Sequence, residues 1–260
     1  MKVVILAGGL GTRLSEETIS KPKPMVEVGD YPILWHIMKI YSHYGFNDFI
    51  LLCGYKANMI KSYFTNFYIN NADIQINLET NETNIIKNQS EDWKVTILNT
   101  GVDTLTGSRI KMAKDYILDD KDNEFMVTYG DGVSDVNINS LLEFHRKSNK
   151  TATLTAVQPM GRFGTLSLDD ADNVNHFIEK QAGDGGWVNG GFFVFNKNVF
   201  DYIPDRNVML EEDPLLDLVK DKQLAAYKHT GFWKPMDTLR DNHELNKMWA
   251  SGKAPWKIWK

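Results

Sequence analysis

"VVILAGGLGTRLSEETISKPKPMVEVG" occupies residues 3–29, and it opens with a short apolar run that ends in glycines. Glycines 8, 9 and 11 follow residues 3–7 directly, and the cationic, proline-rich run KPKP follows at 21–24. Because glycine lacks a Cβ atom, the backbone can turn tightly and a ligand can approach its N–H groups. In doubly wound sheets the first strand-to-helix turn is the usual nucleotide site. The stretch therefore predicts an α/β fold with an anion-binding loop, although a tight turn without a ligand also fits the glycines alone.

The rest of the chain alternates apolar runs of strand length with segments of helical spacing. Strands are predicted at VVILA (3–7), DFILLCG (48–54), FMVTYG (125–130), TATLTAV (151–157) and GGFFVF (190–195). Helices are predicted in PILWHIMKIYSHYG (32–45, with Gly45 as the C-cap), NMIKSYFTNFY (58–68) and INSLLEFHRK (138–147). This alternation predicts a Rossmann-like, three-layer α/β fold with a mostly parallel, mixed central sheet and helices on both faces.

The pattern changes after about residue 150. The segment GTLSLDDADNVNHFIEK (164–180) predicts a hairpin with its turn at 170–173. Residues 74–98 suggest added β structure, and the last fifty residues suggest helix followed by a tryptophan-rich tail. We therefore expect one domain over 1–260, with a core at 1–150, a second half at 151–237 that includes a smaller β-rich lobe, and a C-terminal helix and tail at 238–260.

The bulk composition limits the partners of the chain. Its 260 residues are 42% hydrophobic and 24% charged, as in ordinary globular proteins, and its net charge of −5 argues against general nucleic-acid binding. The single cysteine cannot form an intrachain disulfide, which favours a reducing compartment. No apolar run is long enough for a signal-peptide core or a membrane span. We expect a cytoplasmic protein without nucleic-acid or membrane partners.

Two familiar phosphate loops do not fit the first glycine-rich stretch. A Walker loop needs Lys and then Ser or Thr after its last glycine, but Thr12 and Arg13 follow Gly11 here. A dinucleotide fingerprint starting at Gly9 would need a third glycine where Leu14 stands. Nicotinamide binding is therefore a poor second choice.

The sequence G-L-G-T-R-L, followed by an acidic and polar stretch and then K-P-K-P-M, resembles the signature of the sugar-phosphate nucleotidyltransferases. These enzymes couple a nucleoside triphosphate to a sugar 1-phosphate and release pyrophosphate. The resemblance implies catalytic roles for Arg13 and Lys23, whose charges suit phosphate oxygens. It implies nucleotide binding by the same two residues and by Leu6, Ala7, Gly8, Gly9, Leu10, Gly11 and Thr12. Prolines 22 and 24 stiffen the backbone around Lys23 and disfavour helix there, while solvated surface lysines at 21 and 23 are the competing interpretation.

Two carboxylates lie in sequence contexts that suit a metal. Asp131 comes between two glycines directly after a predicted strand, where ligands gather in parallel sheets. Asp237 precedes a predicted helix, so it could instead be the N-cap of that helix. Asp131 could instead be an ordinary turn residue. Asp241 could be a simple first-turn acid. The family resemblance implies that Asp131 and Asp237 bind Mg²⁺, an ion that takes one or two carboxylates plus substrate phosphates.

The segment EKQAGDGGWVNGGFFVF (179–195) resembles the sugar-binding segment of the same family. Glu179 and Lys180 match its Glu-Lys pair, and Asn189 with Gly190 matches its strand start. The resemblance implies that these four residues bind the sugar phosphate, and that 151–237 is the sugar-phosphate half and 1–150 the nucleotide half. Gln181 stands where the family usually has proline, and a charged hairpin end is the competing interpretation.

A narrower resemblance, to the glucose-1-phosphate cytidylyltransferases, covers nearly the whole chain. It rests on KPKPMVE, PILWHIMK, TGSR, TYGDGV, GRFG, NGGFFV, GFWKPMDTLRD and KAPWK. It implies that CTP and α-D-glucose 1-phosphate give CDP-glucose, a precursor of dideoxy sugars in bacterial surface polysaccharides such as the O-antigen of lipopolysaccharide, and pyrophosphate. It adds Thr104, Arg109 and Gly130 to the nucleotide site, and it implies a homo-oligomer larger than a dimer, such as a hexamer.

Three alternatives stay open at this stage. The chain could be another pyrophosphorylase, specific for UTP or dTTP, because these relatives share the first loop. It could be a glycosyltransferase of related fold, with Asp131 in its metal-binding turn. It could also be a non-catalytic regulatory protein that binds a nucleotide sugar, although such a protein has no need to keep Arg13, Lys23, Asp131 and Asp237 together.

Overall fold

The computed structural model of the chain describes residues 1–9, 11, 14–118, 123–159, 165–168, 174–178 and 186–259. The predicted site residues Leu10, Thr12, Arg13, Glu179 and Lys180, and the predicted turn at 170–173, lie outside these ranges. The strands are β1 (Val3–Ala7), β2 (Glu27–Val28), β3 (Tyr31–Pro32), β4 (Asp48–Cys53), β5 (Ala72–Asn77), β6 (Glu82–Asn88), β7 (Lys94–Asn99), β8 (Glu124–Tyr129), β9 (Gly132–Ser134), β10 (Ala152–Val157), β11 (Thr165–Leu168), β12 (Val174–Ile178), β13 (Val188–Asn196), β14 (Leu224–His229) and β15 (Trp233–Pro235).

The helices alternate with these strands along the chain. They are α1 (Ser15–Thr18), α2 (Ile33–His43), α3 (Ala57–Thr65), α4 (Phe67–Asn70), α5 (Thr106–Met112), α6 (Lys114–Ile117), α7 (Ile138–Ser148), α8 (Asp213–Lys220) and α9 (Leu239–Ala250). Two 3₁₀ helices cover Lys23–Met25 and Lys197–Tyr202. In the part of the chain that the structure describes, no helix is long and apolar enough to cross a membrane.

Seven of the described strands form one sheet in the order β14-β10-β13-β8-β1-β4-β7. All neighbouring pairs are parallel except the two made by β13, which runs antiparallel to both β10 and β8. The predicted mostly parallel, mixed sheet is therefore confirmed. The strands β10, β13 and β14 from the second half of the chain extend the same sheet, while β11 and β12 pair separately as the predicted antiparallel hairpin.

The central strand β1 shows why helices cover both faces of this sheet. Its side chains alternate, so Val3, Ile5 and Ala7 belong to one buried cluster and Val4 and Leu6 to the other. The first cluster includes residues of α2, α3, α7 and α9, and the second includes residues of α5, α6 and α8. Because both faces of β1 are buried, its sequence is a continuous apolar run, as is typical of parallel sheets.

Helix α2 ends where the sequence predicts. Gly45 has a φ of 85° and its N–H donates to the carbonyl of Ser42, while the N–H of Phe46 donates to Tyr41. This pair of bonds is a Schellman motif, and it satisfies the last carbonyl groups of the helix.

The prediction of helix throughout the last fifty residues is wrong for two segments. Residues 224–229 form β14, which pairs in parallel with β10 at the sheet edge, and residues 233–235 form β15. Strand β14 is only half-buried and contains few large apolar groups, so its pairing with a distant strand decides its conformation. Similarly, only β5 and β6 of the region 74–98 form an added hairpin, because β7 is the other edge of the central sheet.

The strand order creates a crevice at the carboxyl end of β1. The chain leaves β1 toward β4 and β7 on one side and later returns to β8 on the other side. Ligands in open α/β sheets bind at such a reversal of strand order, outside the carboxyl ends of the strands. The loops that follow β1, β4, β7 and β8 all meet there.

Candidate active site

A cavity of about 560 Å³ opens at this crevice. The predicted residues that line it are Leu6, Ala7, Gly8, Gly9, Gly11, Lys23, Thr104, Arg109, Gly130 and Asp131. Its remaining wall consists of residues with no predicted binding role: Pro24, Val102, Asp103, Leu105, Thr106, Tyr129 and Met209. Asp237, Asn189 and Gly190 do not line this cavity, although Asp237 contacts Lys23 and Asn189 contacts Tyr129, which do.

The glycines after β1 lie in different surroundings. A Cβ on Gly8 would lie 2.2 Å from the Arg109 guanidinium, and Gly11 has a φ of 65° with the Thr18 side chain 2.8 Å from its Cβ position. Both positions therefore require glycine for the fold itself. A Cβ on Gly9, in contrast, would meet no atom of the described residues within 4 Å. Packing against this part of the chain does not explain Gly9, which lines the cavity where a ligand could approach the backbone.

Lys23 is buried, whereas Lys21, two residues earlier, remains partly exposed, with its ammonium group 3.4 Å from a carboxylate oxygen of Glu27. The expectation of no helix around Lys23 is wrong, because residues 23–25 form one 3₁₀ turn, with the N–H of Met25 donating to the carbonyl of Pro22. Pro24 is tolerated because the first N–H groups of a helix need no partner within it. The turn directs the Lys23 side chain into the cavity.

A short antiparallel ribbon brings the two predicted metal ligands together. Strand β9 begins directly after Asp131, and β15 ends two residues before Asp237. The two strands pair with Gly132 opposite Pro235, and the N–H of Met236 donates to the carbonyl of Asp131 at 2.8 Å. The carboxylates, more than a hundred residues apart in sequence, thus lie side by side.

Both carboxylates contact the same ammonium group. Lys23 Nζ lies 2.6 Å from Asp131 Oδ2 and 2.6 Å from Asp237 Oδ1. Burial by itself would lower the pKa of Lys23, but the two ion pairs outweigh it and the pKa is raised. Lys23 is therefore charged at neutral pH. Among the described residues, no group of three or more His, Cys, Asp or Glu side chains could hold a metal. The assignment of Asp131 and Asp237 as metal ligands stays a prediction from the sequence.

The N-cap of the helix that follows Asp237 is not Asp237 itself, which was the competing interpretation of this residue. Thr238 is the N-cap of α9, and its hydroxyl accepts from the N–H of Asp241. The Asp241 carboxylate accepts in return from the N–H groups of Thr238, at 2.9 Å, and Asp237, at 3.2 Å. Asp241 is therefore part of a capping box that also holds the backbone of Asp237.

Arg109 lines the cavity, and both of its terminal nitrogens are hydrogen-bonded to other parts of the protein. Nη1 donates to the carbonyls of Cys53 and Gly101 and to the Thr100 hydroxyl, and Nη2 donates to the carbonyls of Gly8 and Val102. Its side chain is buried, which lowers the pKa of the guanidinium. The side chain ties together the loops after β1, β4 and β7, so the shape of the cavity depends on it.

The predicted sugar residue Asn189 reaches the cavity through Tyr129. Its Nδ2 donates to the Tyr129 hydroxyl at 3.1 Å, and its Oδ1 accepts from the N–H of Gly191. The Trp233 indole donates to the carbonyl of Gly190 at 2.7 Å, which links β13 to the ribbon that holds the carboxylates. Tyr129 was missed in the sequence, although its position directly before Gly130 and Asp131 was a usable signal.

Comparisons with known proteins agree on one family. The sequence profile of the family described as "Nucleotidyl transferase" matches residues 2–251. The chain is 51% identical over 259 residues to glucose-1-phosphate cytidylyltransferase of Salmonella typhi, and 48% identical over 260 residues to a probable glucose-1-phosphate cytidylyltransferase of Bacillus subtilis. Each alignment covers 100% of both chains. The crystal structure of HddC from Yersinia pseudotuberculosis complexed with GMP-PN superposes with a TM-score of 0.68 at 25% identity, over 95% of this chain and 99% of that one.

Proposed function

This chain belongs to the nucleotidyl transferase family, and we propose that it makes CDP-glucose and pyrophosphate from CTP and α-D-glucose 1-phosphate. The full-length likeness to glucose-1-phosphate cytidylyltransferases, at 51% and 48% identity, is the observation that supports this substrate pair. The cavity at the strand reversal supports it further, because a glycine loop and a buried lysine meet there.

The proposed reaction is an in-line phosphoryl substitution. A phosphate oxygen of glucose 1-phosphate forms a bond to the α-phosphorus of CTP, and the bond from that phosphorus to the bridging oxygen of the β-phosphate breaks. Pyrophosphate leaves with the electron pair. Catalysis of such a step consists mostly of positioning and charge stabilisation.

Two groups of the described site suit these demands. The open backbone at Gly9 lets the phosphates approach N–H groups, and the charged Lys23 ammonium lies at the boundary between that loop and the carboxylates. In this proposal Lys23 binds the reacting phosphates and offsets the charge that develops on them. Arg13 would add a second cation, but it lies outside the described residues and stays a prediction from the sequence.

The carboxylates fit a magnesium ion. Asp131 and Asp237 offer oxygens close enough to share one ammonium, and a Mg²⁺ ion usually takes one or two carboxylates and completes its shell with phosphates and water. When bound there, Mg²⁺ would neutralise phosphate charge. Lys23 now pairs with both carboxylates, so this lysine would have to exchange at least one of these contacts for phosphate oxygens.

The remaining assignments divide between the two substrates. Arg109 and Thr104 shape the nucleotide side, with Arg109 acting through the loops it holds rather than through free terminal donors. Cytosine presents an N4 amino donor, so its selection needs an acceptor, for which we expect a backbone carbonyl. Asn189, together with Glu179 and Lys180, would bind the sugar phosphate. The cytoplasmic location and the homo-oligomer stay predictions.

Pyrophosphate release with each nucleoside triphosphate and a panel of sugar 1-phosphates tests the proposal. CTP with glucose 1-phosphate should be the best pair, since a site that hydrogen-bonds a polar group rejects analogues without it, by about 10⁴-fold in good cases. Higher turnover with dTTP or ATP would contradict the assignment. A glycosyltransferase would instead release a nucleoside diphosphate from a nucleotide sugar, and a regulatory protein would bind CDP-glucose without turnover.

A further inference from the structure

A chain of hydrogen bonds runs from the nucleotide side of the cavity to the predicted sugar side, and its central member is Glu211. We propose that Glu211 and Tyr129 are positioning residues that hold Asn189 in the orientation needed to bind glucose 1-phosphate. The inference rests on the proposed function, because it takes Asn189 as a sugar contact.

The Glu211 carboxylate joins two walls of the cavity. One oxygen, Oε1, accepts from the Tyr129 hydroxyl, and the other, Oε2, accepts from the Thr106 hydroxyl at 2.7 Å. Thr106 begins α5 and in turn accepts from the N–H of Leu210 at 2.8 Å. Glu211 therefore fixes the loop before α8 against α5 on one side and against the end of β8 on the other.

Tyr129 links Glu211 to β13. The Tyr129 hydroxyl donates its proton to the Glu211 carboxylate. The same hydroxyl oxygen accepts from Asn189 Nδ2 at 3.1 Å. The Tyr129 ring lies against the backbone of Gly191, where a Cβ would come within 2.3 Å of the ring and where φ is 79°. The ring and the strand thus fit together only because residue 191 is glycine.

The direction of these bonds determines how Asn189 is presented. Its Nδ2 is turned toward Tyr129, and its Oδ1 is held by the N–H of Gly191 at 2.9 Å. An amide group has two N–H donors and two acceptor sites on oxygen, so one of each remains for a ligand. Sugar hydroxyls can both donate and accept, and an amide of fixed orientation would recognise one arrangement of them. Without Glu211, the Tyr129 hydroxyl loses its acceptor. The hydroxyl oxygen that accepts from Asn189 is then no longer held in one position.

The inference predicts a selective effect on one substrate. Tyr129→Phe and Glu211→Met should each raise the KM for glucose 1-phosphate about tenfold, comparable to the loss of one good hydrogen bond. The KM for CTP should stay within about twofold, because the residues predicted to bind the nucleotide are not changed. Both variants keep nearly the size and shape of the original side chain. A melting curve for each variant checks that it is folded.

A matched control lies on the surface of the same protein. The Tyr202 hydroxyl donates to Asp221 Oδ2 at 3.1 Å in an exposed tyrosine–carboxylate pair that does not line the 560 Å³ cavity. Tyr202→Phe removes the same chemical group and should leave both KM values unchanged. Equal changes in both KM values, or a loss of kcat with lower melting temperature alone, would show that Tyr129 and Glu211 only support the fold.

A double-mutant cycle with Asn189→Ala separates this inference from the proposed function. If positioning is the role of Tyr129, then Tyr129→Phe should add no further increase in the KM for glucose 1-phosphate once Asn189 is alanine. A raised KM in Asn189→Ala but a normal KM in Tyr129→Phe and Glu211→Met would overturn the positioning role while leaving the sugar contact in place. An unchanged KM for glucose 1-phosphate in Asn189→Ala would overturn both the sugar contact of Asn189 and the positioning role of Tyr129 and Glu211.

Discussion

The ammonium nitrogen of Lys23 lies 2.6 Å from Oδ2 of Asp131, although the two residues are 108 positions apart in the chain. The Lys23 side chain is only 10% exposed and that of Asp131 is 29% exposed. The contact joins the loop after β1 to the loop after β8, the two halves of the crevice. It also joins the predicted catalytic cation to a predicted metal ligand, so changes at either residue should affect the other.

We expect Lys23→Ala to lower kcat/KM for both substrates by about 10²–10³, as loss of a preorganised charge contact does in other enzymes. The variant should also be less stable by about 1–3 kcal/mol, because two neighbouring carboxylates lose the ammonium group that they share. Lys21→Ala, a change of the same type at a partly exposed position, should have only a small effect on either quantity. Steady-state kinetics with melting curves compare the two. Small, equal losses in both variants would mean that the KPKP run is only a stiff surface segment.

A divalent cation should compensate for the missing ammonium. In the absence of nucleotide, Mg²⁺ should raise the melting temperature of Lys23→Ala more than that of the unchanged protein, because the Lys23 ammonium no longer competes with it for the two carboxylates. Adding Asp131→Asn to Lys23→Ala should abolish this extra stabilisation. If Mg²⁺ raised the melting temperature of all three proteins equally, the cation would bind elsewhere.

The two carboxylates near Lys23 and the neighbouring Asp241 should respond differently to substitution. Asp131→Asn and Asp237→Asn should each lose most activity at any Mg²⁺ concentration while the protein stays folded. Asp241→Asn should keep more activity but lower stability by about 1 kcal/mol, since it weakens the capping box of α9. Magnesium titrations of kcat together with thermal unfolding separate these outcomes. Full magnesium-dependent turnover in both Asp131→Asn and Asp237→Asn would contradict the metal assignment.

Arg109→Met should destabilise the protein and widen the cavity. The substitution leaves the carbonyls of Gly8, Gly101 and Val102 without their buried donor, and each unsatisfied group costs about 1–3 kcal/mol. The KM for CTP should rise because the loops that shape the nucleotide side lose their common anchor. Arg240→Met, at an exposed arginine of α9, is the matched control. Unchanged stability in Arg109→Met would show that water replaces the guanidinium without cost.

Acid should weaken the fold through His36. This side chain is fully buried, and burial lowers its pKa from 6.5 to about 4. The unfolded chain therefore takes up a proton as the pH falls through 6.5, whereas the folded protein does not until about pH 4. The contribution of neutral His36 to the free energy of unfolding is therefore complete above pH 6.5. It decreases by up to about 3 kcal/mol as the pH falls from 6.5 to about 4.

Urea unfolding of the protein and of His36→Gln at several pH values measures this contribution. The free energy of unfolding should fall less steeply with acid in His36→Gln. The exposed His43, on the same helix, supplies the control His43→Gln, which should retain the steep dependence. Parallel pH profiles for His36→Gln and the unchanged protein would mean that other groups cause the acid sensitivity.

The sequence predicted much of the fold because the relevant signals are local. The apolar run of β1, the following glycines and the Gly45 end of α2 depend on residues that are neighbours in the chain. The edge strand β14 was missed for the opposite reason. Its half-buried sequence acquires strand geometry only by pairing with β10, about seventy residues earlier.

For the candidate site, residue types and their spacing indicated which chemical groups are present: a glycine loop, a stiffened lysine and carboxylates next to turns. How these groups combine depends on the tertiary fold. The β9–β15 ribbon brings Asp131 and Asp237 to one ammonium, Arg109 uses its donors on backbone carbonyls, and Glu211 reaches Asn189 through Tyr129. Residue type and spacing determine what a side chain can donate or accept. The partner that it meets depends on long-range strand pairing and burial, which no short stretch of sequence contains.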